Sequence, residues 1–413
     1  MKILKFGRYL IYLLLVTLSL LLIVGVINWF INPYGIYDSP VIEGFNALKH
    51  GATKIRKAYA VRSIKPCAVC LGSSKVYVGI DPDHPGWECT PVYNIGLNGT
   101  NIYEMTRYLQ HANAVQPLKE VVLMLDFENF NVPIKNTPDF DEDRFVITYD
   151  GKENWWFNIK DTLATLFSIQ ALLSSINTPV NQVRADLQNG MDDPTAMRNA
   201  TNAKFGSLHA AFLEDARNAM KYHFTEKYPL ENTNTNWVSF DYYRKILQLA
   251  YRENIHLYIG IAPYHVYQWE ALRASDYWQR FELWKRMLVA INEEEALRAG
   301  KPPFPLWDFA VYNQFTTEAL PPLGDTQTKM QWWWEYTHYK KELGDIVLDR
   351  IFNYHSSSRV VPDDLGVLLT SKNIDEHLLE IQVDRQQYHD THPDYIAEIE
   401  DLAKQLGKWA EPR

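Results

Sequence analysis

The amino-terminal thirty residues contain the feature that most constrains this chain. No charged residue occurs from Tyr9 to Ile27, and Leu, Ile and Val dominate the run. A helix of this length reaches about 30 Å, which is the thickness of the hydrocarbon core of a bilayer. Lys2, Lys5 and Arg8 precede the run, and the next basic residue is Lys49. The positive-inside rule therefore predicts a cytoplasmic amino terminus, with the rest of the chain on the other side.

This pattern predicts an uncleaved single-pass anchor over residues 1–37 and a juxtamembrane connector over 38–62. Trp29 and Phe30 lie where an interfacial aromatic belt is expected. The competing interpretation is a cleaved signal peptide, but Asn28–Asp38 contains no small-x-small cleavage pattern. No second run of 18 apolar residues follows, so we expect one membrane helix and a large extracytoplasmic domain.

Charge and cysteine content exclude two classes of protein. The 413 residues carry 41 Lys and Arg against 50 Asp and Glu, a formal net charge of −9, which argues against a nucleic-acid partner. Three cysteines are too few for a disulfide-built scaffold. Cys67 and Cys70 lie in a predicted strand, too far apart to pair, so we expect both to be small buried residues. Cys89 pairs with one of them only if the fold brings them close.

Short apolar runs alternate with segments of helical periodicity, which predicts an α/β domain with a doubly wound, mostly parallel sheet flanked by helices. We assign this core to residues 63–126 and 237–359. The predicted strands and helices are Cys67–Leu71, Val92–Ile95, Asn101–Ala114, Glu120–Leu125, Asp241–Arg252, His256–Ile261, Tyr277–Arg298, Pro305–Phe309 and His338–Phe352.

Two segments lie outside this alternation. Residues 127–236 are helical or irregular and predict a helical insertion or lid over the carboxyl ends of the strands. Residues 360–413 contain a short candidate strand at Val367–Leu369 and charged helical segments, which predict a carboxyl-terminal wrap around the domain.

Gly72-Ser73-Ser74 directly follows the first predicted strand, at the sheet edge where α/β active sites form. Glycine allows a tight turn and close backbone approach there, and a serine hydroxyl becomes a nucleophile when a base is near. The alternative is a plain loop or a helix cap.

Glu335 lies three residues before His338, a spacing that allows the carboxylate to orient the imidazole. Two other acid–histidine pairs have the same spacing. Asp81 and His84 lie in a Pro-flanked loop, and His256, three residues after Glu253, lies in a predicted buried strand. His338 is instead expected to open a helix at the active edge. The alternative is a surface histidine at a helix start.

Two further positions are candidates at this edge. Gly96 and Gly99 follow the second strand and are candidates to present a backbone N–H to an oxyanion, unless they only form a turn. His265 follows the strand that ends at Ile261, so it either lines the pocket or is a structural histidine. No His, Cys and Asp cluster has metal-ligand spacing, and we expect neither a metal nor a cofactor.

The order of these motifs resembles the SGNH/GDSL hydrolase superfamily. Gly72-Ser73-Ser74 is similar to the Gly-Asp-Ser block, with Ser74 at the nucleophile position and Ser73 where Asp is usual. Gly99 matches the oxyanion glycine of the second block. Glu335 and His338 match the closing Asp-x-x-His block, with Glu in place of Asp. The resemblance covers the core, and it implies a Ser-His-Glu triad without a cofactor.

The third block departs from the family pattern Gly-x-Asn-Asp. The equivalent segment here is Asp126-Phe-Glu-Asn129, so Glu128 falls at the position of the oxyanion asparagine. Asn129, one residue later, either substitutes for that donor or the donor is missing. A carboxylate is unfavourable beside a forming oxyanion.

The anchor and the departures resemble a subset of that superfamily, the extracytoplasmic proteins of cell-envelope polymer acylation such as the D-alanylation protein DltD and the alginate O-acetylation proteins. The resemblance implies a bacterial inner-membrane protein with a periplasmic domain, a polysaccharide substrate and a membrane-bound O-acyltransferase partner. It implies an acyltransferase or esterase, with Ser73, His265 and Tyr339 as expected pocket residues. The alternative is a catalytically inactive scaffold that binds glycan or the membrane partner.

Overall fold

The chain forms two compact units. In the computed structural model, one unit comprises Met1–Ser63 and Pro138–Asp193, and the other comprises Ile64–Thr137 and Pro194–Arg413. The predicted insertion 127–236 is therefore divided between the two units. The structure describes residues 2–47, 53–131, 140–154, 156–180, 182, 204–225, 231–232 and 237–410.

The elements are numbered along the chain within these residues. The strands are β1 (Ala68–Ser73), β2 (Val92–Leu97), β3 (Glu120–Leu125), β4 (Glu231–Asn232), β5 (Trp237–Val238), β6 (His256–Ile261), β7 (Leu306–Asp308) and β8 (Val367–Leu368). The helices are α1 (Lys2–Ile31), α2 (Thr53–Ile64), α3 (Ser74–Gly79), α4 (Ile102–Val115), α5 (Phe157–Leu166), α6 (Ile169–Val180), α7 (Leu208–Thr225), α8 (Ser239–Glu253), α9 (Val266–Ala274), α10 (Trp278–Ala299), α11 (Lys341–Phe352), α12 (Ile374–Thr391) and α13 (Pro393–Ala410).

The first unit is helical and contains the apolar amino terminus. Within α1, the segment Gly7–Ile31 is 25 residues long with a mean hydropathy of 3.0, so it is long and apolar enough to cross a membrane. Helices α5 and α6 pack against α1. The connector expected over 38–62 contains a helix, because α2 begins at Thr53 and ends at Ile64.

The second unit contains the predicted α/β sheet. Its strand order is β2-β1-β3-β6-β7-β8, with parallel pairing from β2 through β7 and antiparallel pairing of β8 with β7. All six residues of β1 and all six of β3 are buried. Helices flank the sheet, which explains why these strands read as continuous apolar runs rather than alternating ones. The prediction of an α/β core with a mostly parallel sheet is confirmed.

Most predicted element boundaries hold within a few residues, and one difference affects the site. Helix α4 begins one residue later than predicted because Asn101 caps it, its side-chain oxygen accepting the backbone N–H of Glu104 at 2.9 Å. Helix α11 begins at Lys341. His338 therefore does not open this helix, as expected from the sequence, but lies in the irregular segment before it.

The expectation that Cys67 is a small buried thiol is wrong. Cys67 and Cys89 form a disulfide with a Cα–Cα distance of 6.2 Å. Parallel pairing of β1 with β2 brings together the segments that precede the two strands, and the backbone N–H of Cys67 donates to the carbonyl of Pro91 at 2.9 Å. Cys70 is buried as expected and is not in a disulfide; its Sγ donates to the carbonyl of Tyr93 at 3.9 Å.

The carboxyl-terminal segment extends the sheet through β8 and then packs α13 against α7 and α9. Glu398 of α13 accepts a hydrogen bond from the hydroxyl of Tyr267 at 2.8 Å and lies 3.1 Å from the Nε2 of His209. The carboxyl-terminal segment thus holds together the two helices that, as shown below, line the candidate site.

Helices α3 and α11 approach each other at glycines. A Cβ built on Gly344 of α11 would lie 1.6 Å from the carbonyl oxygen of Gly79 in α3. This contact matters for the site, because Ser74 begins α3 and His338 lies just before α11. Only a residue without a side chain permits this separation.

We therefore expect Gly344→Ala to lower the free energy of unfolding by about 1–3 kcal/mol or more, because backbone must move to relieve the overlap. The matched control is Gly407→Ala in α13, where nothing lies within 4 Å of the added Cβ. That variant should gain up to about 1 kcal/mol from helix propensity. Urea unfolding of both variants provides the comparison, and equal stabilities would contradict the packing argument.

Candidate active site

Three neighbouring strands deliver the candidate residues to one edge of the sheet. Strand β1 lies between β2 and β3, and all three run parallel. Their carboxyl ends lead directly to Ser74, Gly99 and Asp126. The strand order reverses between β1 and β3, the point at which doubly wound sheets form a ligand-binding crevice.

The two adjacent serines have different surroundings. Ser73 caps α3: its Oγ accepts the backbone N–H of Lys75 at 3.1 Å and donates to the carboxylate of Asp126. Ser74 is the first residue of the helix, and its Oγ lies 2.7 Å from the Nε2 of His338. Gly72 is required beside them, since a Cβ there would lie 2.7 Å from the carbonyl oxygen of Met124.

The segment that carries Glu335 and His338 folds back on itself. Trp333 and Tyr339 form an antiparallel bridge, and the backbone N–H of Trp334 donates to the carbonyl of His338 at 3.0 Å. Inside this turn, the Nδ1 of His338 is hydrogen-bonded to Oε1 of Glu335. The backbone therefore fixes the spacing of acid and imidazole that the sequence indicated.

Glu335 is held as a carboxylate. It accepts backbone N–H groups from Thr337 at 3.0 Å and from His338 at 2.9 Å, in addition to the imidazole. Burial alone would raise the pKa of Glu335. The charge and hydrogen bond of His338, together with the backbone donors, have a larger effect in the opposite direction, so the pKa lies below its ordinary value. The chain Ser74–His338–Glu335 is continuous, with each ring nitrogen engaged by one partner.

A second carboxylate near this chain was not indicated by the sequence. Asp215, on α7, interacts electrostatically with Glu335 and His338. Burial, followed by the negative charge of Glu335, raises the pKa of Asp215 to about 6. Nothing local in the sequence marks Asp215, because it reaches the site through the packing of α7 in the tertiary structure.

A cavity of about 490 Å³ lies beside Ser74. Residues from the three strand ends form one wall, and α7, α9 and the segment before His338 form the other. The lining residues are Ser73, Ser74, Lys75, Gly99, Thr100, Asp126, Glu128, Asn129, Ala219, Tyr222, His223, Gln268, Leu272, Tyr336 and Thr337. The structure thus places Ser73, Ser74, Gly99 and Asn129 around one cavity.

The two expected oxyanion positions have defined conformations. Gly99 has a φ of 55°, in the left-handed region that favours glycine. The side chain of Asn129 accepts the backbone N–H of Asp126 at 2.9 Å and donates to the carbonyl of Thr100 at 2.9 Å. Asn129 therefore links the loop after β2 to the loop after β3, and it lines the same cavity as Ser74.

Glu128 belongs to a cluster of buried charged and polar side chains in the cavity wall. Glu128 accepts the hydroxyl of Tyr264 at 2.7 Å, and Lys75 lies 3.0 Å from Asp126 and 3.2 Å above the Tyr264 ring. Burial raises the pKa of Glu128 above its ordinary value, although the positive charge of Lys75 opposes the shift. The balance for the carboxyl group of Glu128 therefore shifts toward its neutral form.

Two expected pocket residues do not line the cavity among the residues that the structure describes. His265 is fully buried and caps α9, its Nδ1 accepting the backbone N–H of Tyr267 at 3.3 Å while its Nε2 lies 2.9 Å from the carbonyl oxygen of Glu318. Tyr339 is buried against Gly79 and Trp333. Both are structural, because each has its ring packed into the interior behind the edge where it was expected.

Comparison with protein-family models, curated proteins and solved structures finds no match to this chain. In the part of the chain that the structure describes, no three His, Cys, Asp or Glu side chains are grouped so as to hold a metal ion. The assignment of this site accordingly depends on its geometry.

The structural role of His265 has a consequence for stability. Burial lowers the pKa of His265 to about 4 and that of His223 to about 4, against 6.5 in an unfolded chain. As the pH falls, the unfolded chain takes up these protons at a higher pH than the folded chain does. The contribution of the two neutral histidines to the free energy of unfolding is therefore fully present above pH 6.5 and is lost as the pH decreases toward 4. Each histidine contributes a slope of up to about 1.4 kcal/mol per pH unit in this window.

We expect His265→Gln to flatten the decline in unfolding free energy between pH 6.5 and 4 while lowering stability at pH 7. Urea unfolding across this range measures both effects. His256→Gln, at a histidine whose side chain is 65% exposed, is the control for the loss of a histidine. A decline identical to that of the unaltered protein would contradict the assignment of His265 as a buried neutral cap.

Proposed function

We propose that this protein is an SGNH-like serine acyltransferase or esterase. The observation that carries the proposal is the hydrogen-bonded chain from Ser74 through His338 to Glu335, at the carboxyl edge of a parallel sheet and beside a cavity lined by Gly99 and Asn129. The matching order of sequence blocks supports the same class.

In the first proposed step, the Oγ of Ser74 attacks the acyl carbon of an ester while its proton passes to the Nε2 of His338. Glu335 stabilises the imidazolium through Nδ1. The tetrahedral oxyanion accepts hydrogen bonds from the backbone N–H groups of Ser74 and Gly99 and from the amide of Asn129. The leaving alcohol departs with the proton from His338, which leaves an acyl group on Ser74.

In the second step, a hydroxyl attacks the acyl carbon and gives its proton to His338; the bond from that carbon to the Ser74 Oγ then breaks, and Oγ takes this proton from His338. Water as the acceptor makes the reaction a hydrolysis, and a sugar hydroxyl makes it a transfer. Helices α7 and α9 line the cavity beside Ser74 with Ala219, Tyr222 and Leu272, which favours exclusion of water and therefore transfer.

The proposed setting is the periplasmic side of a bacterial inner membrane, with an envelope polysaccharide as acceptor and a membrane-bound O-acyltransferase as acyl donor. The basic residues Lys2, Lys5 and Arg8 before α1 support this orientation. The Cys67–Cys89 disulfide supports an oxidising compartment for the second unit. The donor and acceptor follow from the family resemblance.

The test is covalent labelling of the full chain in detergent with a fluorophosphonate probe. We expect Ser74→Ala to abolish labelling and His338→Ala to lower its rate by about 10²–10⁴-fold, the usual contribution of a general base. Ser73→Ala is the matched control: this neighbouring hydroxyl is committed to Asp126 and Lys75, so its removal should leave labelling in place. Labelling that persists in Ser74→Ala would contradict the proposal.

The alternative function, a catalytically inactive scaffold that binds glycan or a membrane partner, is favoured by one observation. Glu128 lines the cavity where the family has an oxyanion donor, and a charged carboxylate there opposes the developing negative charge. A folded protein that is not labelled at Ser74 would favour this scaffold function.

We expect Glu128→Gln to increase the labelling rate if the site is active. The increase should grow as the pH rises, because the raised pKa of Glu128 keeps the native carboxyl neutral only toward lower pH. Each 1.4 kcal/mol of relieved repulsion corresponds to about tenfold in rate. Glu342→Gln on exposed α11 surface is the control, and a rate that falls in Glu128→Gln would identify Glu128 as a group that assists the reaction.

A further inference from the structure

Helix α6 has an exposed apolar face. At 100° per residue, Ile169, Leu173, Ile176 and Val180 fall within a narrow stripe, and their side chains are 57–74% exposed. Gln170 and Asn177 lie on one side of this stripe and are also exposed. An uninterrupted exposed stripe of large aliphatic side chains is a recognition surface rather than ordinary protein surface.

The opposite face of α6 packs on the end of α1. Ser175 and Thr178 are buried on this face, and the hydroxyl of Ser175 donates to the side chain of Asn28 at 2.9 Å. Ala171, on the same face, is buried in a cluster with Tyr34, Ile55 and Tyr59. Small residues and a hydroxyl at a helix contact are typical of helices that pack in a bilayer.

Asn28 also satisfies the backbone where α5 and α6 meet. Its side-chain amide donates to the carbonyl of Leu166 at 2.9 Å and to the carbonyl of Ser168 at 3.2 Å. The two helices bend by 60° at this junction, which interrupts the helical hydrogen bonds at Leu166. The carbonyl of Ser168 also accepts the backbone N–H of Leu172 at 3.1 Å, so Asn28 matters most for the carbonyl of Leu166, which in lipid requires an internal donor.

The junction between α5 and α6 lies level with the outer end of α1. A Cβ built on Gly25 would lie 2.8 Å from the ring of Phe167, so the ring rests directly on that glycine. Gly25 precedes the end of α1 at Ile31 by six residues, which is about 9 Å along the helix axis. If α1 crosses the membrane, Phe167 therefore lies below the membrane surface.

The length and charge of α6 restrict how it meets the bilayer. Its 12 residues extend about 18 Å, less than the roughly 30 Å needed to cross. It contains no charged residue, and Lys160 of the neighbouring α5 is exposed and paired with Asp143. Ile23, Val26 and Ile27, near the carboxyl end of α1 on which α6 packs, are likewise exposed.

We propose that α5 and α6 form a second membrane-embedded element, with the stripe of Ile169, Leu173, Ile176 and Val180 in contact with lipid acyl chains of the leaflet at the carboxyl end of α1. The polar side of α6 lies among the headgroups. The element is re-entrant: it enters and leaves the membrane on the same side, anchored to α1 through Asn28. This inference is independent of the chemistry at Ser74.

The test uses the full chain in phosphatidylcholine vesicles with single cysteines labelled by the fluorophore NBD. The test position is Ile176→Cys and the matched control is Asn177→Cys, adjacent on the same helix but on its polar side. Leu22→Cys, 65% exposed in the middle of α1, verifies insertion of the anchor. The unaltered chain gives the background, since Cys70 is buried and the other two cysteines are paired.

With Leu22→Cys quenched by chain-labelled nitroxide lipid, we expect Ile176→Cys to be quenched several-fold more strongly than Asn177→Cys and to be protected from iodide. Iodide quenching of Ile176→Cys equal to that of Asn177→Cys would overturn the proposal, because the stripe would then face water. Protection of Ile176→Cys from both quenchers would also overturn it, because the stripe would then be covered by protein.

Discussion

The arrangement of the candidate site depends on the parallel pairing of β2, β1 and β3. Parallel strands end at the same edge of a sheet, so three segments distant in the chain arrive at one place, where Asn129 and Ser73 then link their loops by hydrogen bonds. The chain places β2 on one side of β1 and β3 on the other, so a crevice opens between β1 and β3. Ser74, Gly99 and Asn129 face the same cavity for this reason. The glycine contact between α3 and α11 then sets the separation of Ser74 from His338.

Features encoded by local sequence could be predicted. A strand buried on both faces needs apolar residues at nearly every position, and this pattern is visible within six residues of sequence, as in Glu120–Leu125. The amino-terminal helix is likewise predictable from one uninterrupted apolar segment of the sequence, Tyr9–Ile27. The spacing of Glu335 and His338 is short enough for one turn of backbone to determine it, and the structure contains that hydrogen bond. The pairing of His338 with Ser74 across 264 residues was inferred only from the order of motifs, which a family resemblance supplies and periodicity does not.

Features that depend on packing between distant segments could not be predicted. His265 and Tyr339 follow the rule that residues after strand ends line the pocket, but a backbone cap and a glycine-lined recess place their rings in the interior. Cys67 and Cys89 are close because β1 and β2 are neighbours in register, which strand patterns alone do not specify. Asp215 reaches the site because α7 is held by α9 and α13. The division of the 127–236 segment between two units likewise reflects contacts rather than composition.

The carboxyl groups around the proposed nucleophile have their pKa values displaced in opposite directions. Hydrogen bonds from His338 and the backbone hold Glu335 charged, whereas burial favours the neutral forms of Glu128 and Asp215. A site that stabilises an oxyanion tolerates one anion beside the imidazolium and is impaired by others. Glu335 therefore loses its proton at a lower pH than Asp215, whose pKa is about 6, so Glu335 is the carboxylate that stays charged beside the imidazole as the pH falls. A rise in pH that ionises Glu128 would place a negative charge in the cavity wall, which is unfavourable for the proposed oxyanion.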